Sequence, residues 1–187
     1  MRKIGIAFCA LFAFSTFASA QIPRGNVFFG YSYLNTDLSS SSRANANGWE
    51  ASVEGKIIPF IGIVADFDSH YGSQNFTTTC PLCPVGVPLT GTVNASFTER
   101  NYLFGPRVSV SVAKFRPFAE ALFGGAHVNI NNGVGSDTSF ATAIGGGLDY
   151  KLIPLLAWRV QGDYVQTRFF SATQNNVRIS TGIVLRF

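Results

Sequence analysis

Residues 177–187 read V-R-I-S-T-G-I-V-L-R-F. Val177, Ile179, Ile183, Leu185 and Phe187 fall on one face of an extended chain, with Thr181 the mildest interruption. Arg178, Ser180, Gly182 and Arg186 fall on the other face, where Val184 is the exception. Alternation with a period of two marks a strand with two unlike faces. A soluble sheet buries its apolar face in a core and leaves the charges in water. Here the last residue belongs to the apolar face itself, so nothing is expected beyond it to cover that face. A strand of this kind suits a closed barrel that turns its apolar face to lipid and its polar face inward.

The opposite end of the chain carries an address. Arg2 and Lys3 precede a short apolar run, Ile4 to Phe17, and Ala18-Ser19-Ala20 forms a small-residue cleavage site before Gln21. This pattern predicts a secretory signal peptide over residues 1–20, to be excluded from fold reasoning. The competing reading, a membrane-spanning helix, needs a run of about 18 apolar residues, and this one is shorter. Cys9 lies inside the run and would leave with it. Without Arg2 and Lys3 the formal charge of +4 falls to about +2, and no Lys/Arg cluster is present. Nucleic-acid binding therefore has no electrostatic footprint. The remaining residues, 21–187, are the size of one domain. They are rich in apolar residues, yet contain no run of membrane-helix length.

Eight strand-like segments follow from alternation and turn residues. They cover residues 26–35, 48–57, 61–71, 97–110, 116–128, 140–150, 156–168 and 176–187. Short connections hold Ile58-Pro59-Phe60, Ala113-Lys114-Phe115 and Leu152-Ile153-Pro154-Leu155. Long polar loops are expected at 36–47, 72–96, 129–139 and 170–175. An even strand number with short turns at one end and long loops at the other predicts an eight-stranded antiparallel up-and-down transmembrane barrel. In that layout both termini are periplasmic.

Strand parity sorts the charges. Glu50, Ser52, Glu54 and Lys56 oppose Trp49, Ala51, Val53 and Ile57. Asp66, Asp68 and His70 oppose Ile61, Ile63, Ala65 and Phe67. Glu99, Asn101 and Arg107 oppose Tyr102, Phe104 and Val108. Arg159, Gln161 and Asp163 oppose Trp158, Val160 and Tyr164. Asp149, Arg178 and Arg186 join the inward set. On the fifth strand, placing Glu120 inside also takes Phe118 and Leu122 inside and leaves Ala119, Ala121 and Phe123 to lipid. Eight strands enclose a space that side chains alone fill, so inward acids and bases are expected to pair, giving a polar packed interior. Gly124-Gly125 and Gly145-Gly146-Gly147 are expected to relieve crowding in the curved wall. Trp49 and Trp158, with Phe29, Tyr31, Tyr33, Tyr102, Phe104, Tyr150, Tyr164 and Phe187, share the lipid-facing parity expected of aromatic girdles. The alternative is an exported lipocalin-like barrel, which inverts this parity by filling its interior with apolar residues.

Several short motifs carry a resemblance: Gly30-Tyr31-Ser32-Tyr33, Gly48-Trp49-Glu50, Phe104-Gly105-Pro106-Arg107, Arg116-Pro117-Phe118 and Gly145-Gly146-Gly147-Leu148-Asp149. With them the chain resembles the small eight-stranded outer-membrane β-barrel family that includes the OmpA transmembrane domain and OmpX-like proteins. The resemblance covers residues 26–187. It implies residence in the bacterial outer membrane among its lipid and lipopolysaccharide. It also implies assembly through the barrel-assembly machinery, with the terminal strand and Phe187 resembling the signal that machinery reads. The expected end of the chain at Phe187, with no peptidoglycan-binding domain, leaves cell-wall tethering unimplied.

Cys80-Pro81-Leu82-Cys83 lies in the longest expected loop. In an oxidising compartment a disulfide between Cys80 and Cys83 is expected. Metal binding would need two further ligands, with His70 the nearest candidate, and a redox site would need a thioredoxin-like context that is absent. No metal or cofactor is expected. For catalysis the candidates are His70, His127, Ser139, Asp66 and Asp68. His127-Val128-Asn129 places Asn where a lipid A deacylase pattern has Ser, and nothing in the sequence positions a third group. The expectation is a non-enzymatic barrel with a structural or surface-contact role through its loops. A narrow passive channel is the alternative, followed by a lipid A-modifying enzyme.

Overall fold

The computed structural model describes residues 24–39, 42–79, 90–131 and 135–187. Eight strands follow in chain order: β1 (Gly25–Ser39), β2 (Ser42–Ile58), β3 (Ile61–Thr79), β4 (Thr90–Ser109), β5 (Phe115–Ile130), β6 (Gly135–Ile153), β7 (Leu156–Thr167) and β8 (Gln174–Arg186). Each pairs antiparallel with its sequence neighbours, and β1 pairs with β8 to close the barrel. The seam is complete to its last residue: Gly25 N donates to Phe187 O at 3.0 Å and Phe187 N donates to Gly25 O at 3.1 Å. Closure leaves no strand edge along the seam, which is the condition for β structure in hydrocarbon.

The strands outrun the expected ones at the loop end. Residues 36–39 and 42–47 pair as a continuation of the β1–β2 hairpin, so this stretch is ladder, not the expected polar loop. Likewise β3 and β4 stay paired from Gly72 opposite Phe97 to Thr79 opposite Thr90. Gly and Asn are weak strand formers while Thr is a good one, and a cross-strand ladder already in register adds one residue pair at a time, so context overrides propensity. The β2–β3 pairing stops at Ala46–Gly72 and the β4–β5 pairing at Phe97–Ile130. The β3–β4 hairpin therefore rises above its neighbours.

Parity along every strand is as the alternation predicts. Val177, Ile179, Ile183, Leu185 and Phe187 are exposed, while Arg178, Ser180 and Val184 are buried. On β5, Phe118, Glu120 and Leu122 are buried and Phe123 is exposed. Thr181, the interruption in the apolar face, has a physical reason. Trp158 Nε1–H donates to Thr181 Oγ1 at 2.9 Å, and Thr181 Oγ1 donates to the Arg159 carbonyl at 3.1 Å. An indole N–H facing lipid has no water to bond, so a hydroxyl one strand away satisfies it. Toward the loop end the apolar band gives way to paired polar groups. Tyr33 donates to Asn45 at 2.8 Å and Tyr164 donates to Asn175 at 2.7 Å.

Charges dominate the turn end and middle of the interior, whereas the loop end departs from the expected polar packing. A connected apolar cluster that includes Leu34, Ala46, Phe97, Val128, Ile130 and Val165 fills the loop end. Small and aliphatic inward residues there follow from strand extensions that lie beyond the charged segments.

Glycine matters where the wall meets a charged side chain. A Cβ on Gly145 would sit 2.0 Å from Asp163 Oδ1 and 2.4 Å from the Gly162 carbonyl oxygen. At Gly125 the nearest atom would be 3.9 Å away, so that position is not crowded. Gly145→Ala is expected to destabilise the barrel by about 1–3 kcal/mol through overpacking. Gly125→Ala is expected to be close to neutral. Urea midpoints for folding into lipid vesicles check both, and equal midpoints would contradict the steric account.

Candidate functional site

The inward side chains form three ion clusters. Near the turn end, Glu54 accepts from Asn26 Nδ2 at 2.7 Å and pairs with Lys56 at 3.1 Å, Arg107 at 3.3 Å and Arg116 at 3.0 Å. Arg107 also donates through Nε to Glu120 at 2.7 Å. Beside it, Asp149 takes Arg159 at 2.7 Å and Arg186 at 3.1 Å. The Phe118 ring separates these two clusters, with the Arg107 guanidinium 4.4 Å and that of Arg159 4.6 Å from its centroid. Cation–π contact gives each desolvated guanidinium a favourable face where no carboxylate reaches.

The third cluster lies at mid-barrel around Arg178. Its guanidinium pairs with Asp66 at 2.8 Å, Asp163 at 2.8 Å, Glu50 at 3.5 Å and also with Asp68. One cation thus serves four carboxylates, and neutral donors reach two of them. Gln161 Nε2 donates to Glu50 at 2.5 Å, and Asn101 Nδ2 donates to Asp68 at 2.8 Å. Register explains the convergence: Glu50 pairs with Asp68 in the β2–β3 ladder, and Asp163 pairs with Arg178 in the β7–β8 ladder. The clusters contain Glu50, Glu54, Lys56, Asp66, Asp68, Arg107, Glu120, Asp149, Arg159, Asp163, Arg178 and Arg186, whereas Glu99, also on the inward parity, lies outside them. Arg186 and Lys56, at the turn end, are partly exposed.

A serine, a histidine and an aspartate also meet inside. His70 Nε2 lies 2.9 Å from Ser32 Oγ, and His70 Nδ1 lies 3.0 Å from Asp68 Oδ1. The order of these contacts matches a serine-hydrolase relay, in which Asp orients His and His faces the hydroxyl. All three residues are completely buried. Ser32 Oγ is also 2.8 Å from Ser180 Oγ, which continues to Glu50 at 2.5 Å. Nucleophilic attack needs a carbonyl carbon about 3 Å from the hydroxyl oxygen, and Ser32 is fully enclosed in the wall and core. The chain of contacts joins the β1 wall to the Arg178 cluster.

Glu99 stands apart. It pairs in the ladder with His70 on one side and Val128 on the other. Among the described residues it is the one buried carboxylate both of whose oxygens lack a hydrogen-bond partner. Above it, Phe169 in the β7–β8 connection is fully buried and closes the loop end. Gln174 holds it in place: Phe169 N donates to Gln174 Oε1 at 2.8 Å, and Gln174 Nε2 donates to the Phe169 carbonyl at 3.1 Å. That connection, expected as an open polar loop, is therefore a short cap tied back to β8.

The remaining sequence candidates fall elsewhere. Phe187 is exposed at the turn-end rim, joined to Gly25. Cys80 and Cys83 lie outside the described residues, as does the leader at 1–20. His127 and Ser139 do not meet: His127 Nδ1 contacts Thr138 Oγ1 at 2.8 Å, whereas Ser139 Oγ accepts from Arg168 N at 3.1 Å. Parity explains the difference, since adjacent residues face opposite sides of the wall. Arg116, Ser32 and Phe169 were not anticipated, and the alternation sets Ser180 on the inward face without a partner. Arg116 shared the parity of Phe118 and Glu120, so alternation alone could have found it. The serines carry no pattern that separates them from other small inward residues. Loss of Arg178 leaves four buried carboxylates without their cation. Arg178→Leu is expected to cost about 3–5 kcal/mol, and adding Asp163→Asn is expected to recover part of it, read as urea midpoints in vesicles.

The sequence matches the outer membrane protein beta-barrel domain family over residues 5–187. No curated protein matches it significantly. Among solved structures, Neisserial surface protein A is similar with a TM-score of 0.65 at 12% identity, covering 87% of this chain and 97% of that one. The attachment invasion locus protein Ail of Yersinia pestis is similar with a TM-score of 0.58 at 13% identity, covering 89% of this chain and 100% of that one. OprG of Pseudomonas aeruginosa is similar with a TM-score of 0.58 at 9% identity, covering 88% of this chain and 96% of that one. At such identities the likeness is one of fold. The family match, the closed eight-stranded ladder and the lipid-facing apolar band agree, and the chain belongs to the outer membrane protein β-barrel family.

Proposed function

We propose that this protein is a non-conducting, non-enzymatic barrel of the bacterial outer membrane, with both termini periplasmic and its loop end presented outside the cell. Its role is structural and surface-contacting. The observation that supports this most directly is the filled lumen. Three ion clusters occupy the turn end and middle, an apolar cluster fills the loop end, and Phe169 caps it. An ion crossing the apolar cluster at the loop end would give up most of its hydration there, at a cost of several kcal/mol. A structural role fits the paired interior, because charges matched at this density lock one arrangement of the wall. A surface role fits the β3–β4 hairpin, which rises past its neighbours at the loop end. Attachment is what the name of one fold neighbour states for that neighbour.

Outer-membrane lipid and lipopolysaccharide are its surroundings in this reading. The barrel-assembly machinery is its partner in biogenesis, through β8 and Phe187. No nucleic acid, metal or cofactor enters. Planar-bilayer recording of the full, folded chain is expected to show no steady single-channel steps. Reproducible steps abolished by Arg178→Leu would instead establish a channel through the charged core. A serine-directed fluorophosphonate is expected to leave Ser32 unlabelled, and labelling lost in Ser32→Ala would reopen the enzyme reading.

A further inference from the structure

The outer wall carries a feature that the interior does not explain. Thr98 and Arg100 on β4 and His127 and Asn129 on β5 line a groove of about 210 Å³. Arg100 pairs directly with His127 in the ladder, and Thr98 pairs with Asn129. Their parity is opposite to that of buried Glu99, Asn101, Ala126 and Val128, so the groove opens outward. Next toward the turn end come Tyr102 and Phe104, both on the exposed lipid face. Gly125, opposite Tyr102, adds no side chain to the wall there. Four polar residues thus sit where the aromatic band ends.

The chemistry of this groove is that of an anion site. Arg100 has no carboxylate within ion-pair distance among the described residues. Eight of the ten acidic residues are buried inside the barrel. Of the other two, Asp137 is near the groove, but its oxygens accept from Thr138 N at 2.8 Å and Phe170 N at 2.5 Å. His127 Nδ1 lies 2.8 Å from Thr138 Oγ1, which leaves Nε2 as the ring nitrogen for other partners. A guanidinium, an imidazole, a hydroxyl and a carboxamide together offer donors suited to the oxygens of a phosphate. The volume is below the roughly 300 Å³ of a drug-sized pocket, which suits a single headgroup phosphate and not a whole soluble ligand.

We propose that this groove binds the phosphate of an outer-leaflet glycolipid, a lipid A phosphomonoester. The assignment rests on the reading that the loop end faces the outside, because that places the groove at the headgroup level of the outer leaflet. Native mass spectrometry of the full barrel in detergent, with bisphosphorylated lipid A as the probe, tests it. Retained lipid A is expected, with Arg100→Gln combined with His127→Ala reducing it about tenfold or more. Arg43→Gln, which removes an outer cation that donates instead to the Asn175 carbonyl, is expected to leave retention unchanged. Lipid A stripped of its phosphates is expected not to be retained. Equal retention of the stripped lipid, or an unchanged double variant, would overturn the site. Displacement by inorganic phosphate at equal concentration would overturn the lipid as its occupant and leave a soluble anion. All four groove residues face outward, so a normal heat-dependent gel mobility shift is expected to show that the double variant folds. Bilayer conductance is independent of the groove, so a failure here and a failure of the sealed-barrel reading remain distinguishable.

Discussion

In hydrocarbon no water is present to bond a free amide or carbonyl, so a sheet survives there only if every strand has two partners. The pairing of β1 with β8, carried to Gly25 and Phe187, meets that condition, and much else follows from it. Eight strands closed on themselves enclose a cylinder whose inner side chains touch. The interior is therefore a core, and any charge placed in it must find partners within reach. Arg178, Arg107 and Arg159 are the residues through which this demand is met.

The interior charges have two costs to meet, desolvation and mutual repulsion. Buried ion pairs rarely gain much over apolar packing, so their number here asks for a reason other than net stability. One is specificity of register. A one-residue slip of β8 would carry Arg178 to the lipid side and bring Val177 or Ile179 among four carboxylates. The charge clusters thus penalise wrong closure far more than an apolar core would. The apolar loop-end cluster then supplies ordinary packing where the strands extend past the charged segments.

The division of labour between faces also clarifies what the catalytic-looking contacts mean. Ser32, His70 and Asp68 adopt the distances of a hydrolytic relay, yet each is sealed in the core and tied to neighbours on both sides. Distance alone does not define a site; access does. The groove at Arg100 and His127 is the reverse case. It has no catalytic pattern, but it is open, cationic and placed at the edge of the lipid-facing band.

Strand parity, the eight-strand count and the inward charges were legible along the chain, because a period of two assigns each residue to a face without reference to any other strand. Even the departures were informative: Thr181 sits among apolar residues because Trp158 needs an acceptor. What alternation cannot say is which inward residues meet. Partnership depends on register and on the stagger of strands around the barrel, so Glu54 with Arg107 and Arg116, and Arg178 with four carboxylates, emerged only on closure. The strand ends were hidden for a related reason. Polar residues at 36–47 and 72–79 read as loop in isolation, yet pair because the hairpin below them is already aligned. Local sequence thus determined the two faces of the wall, while the closed ladder alone decided its height, its charge partners and the groove on its outer side.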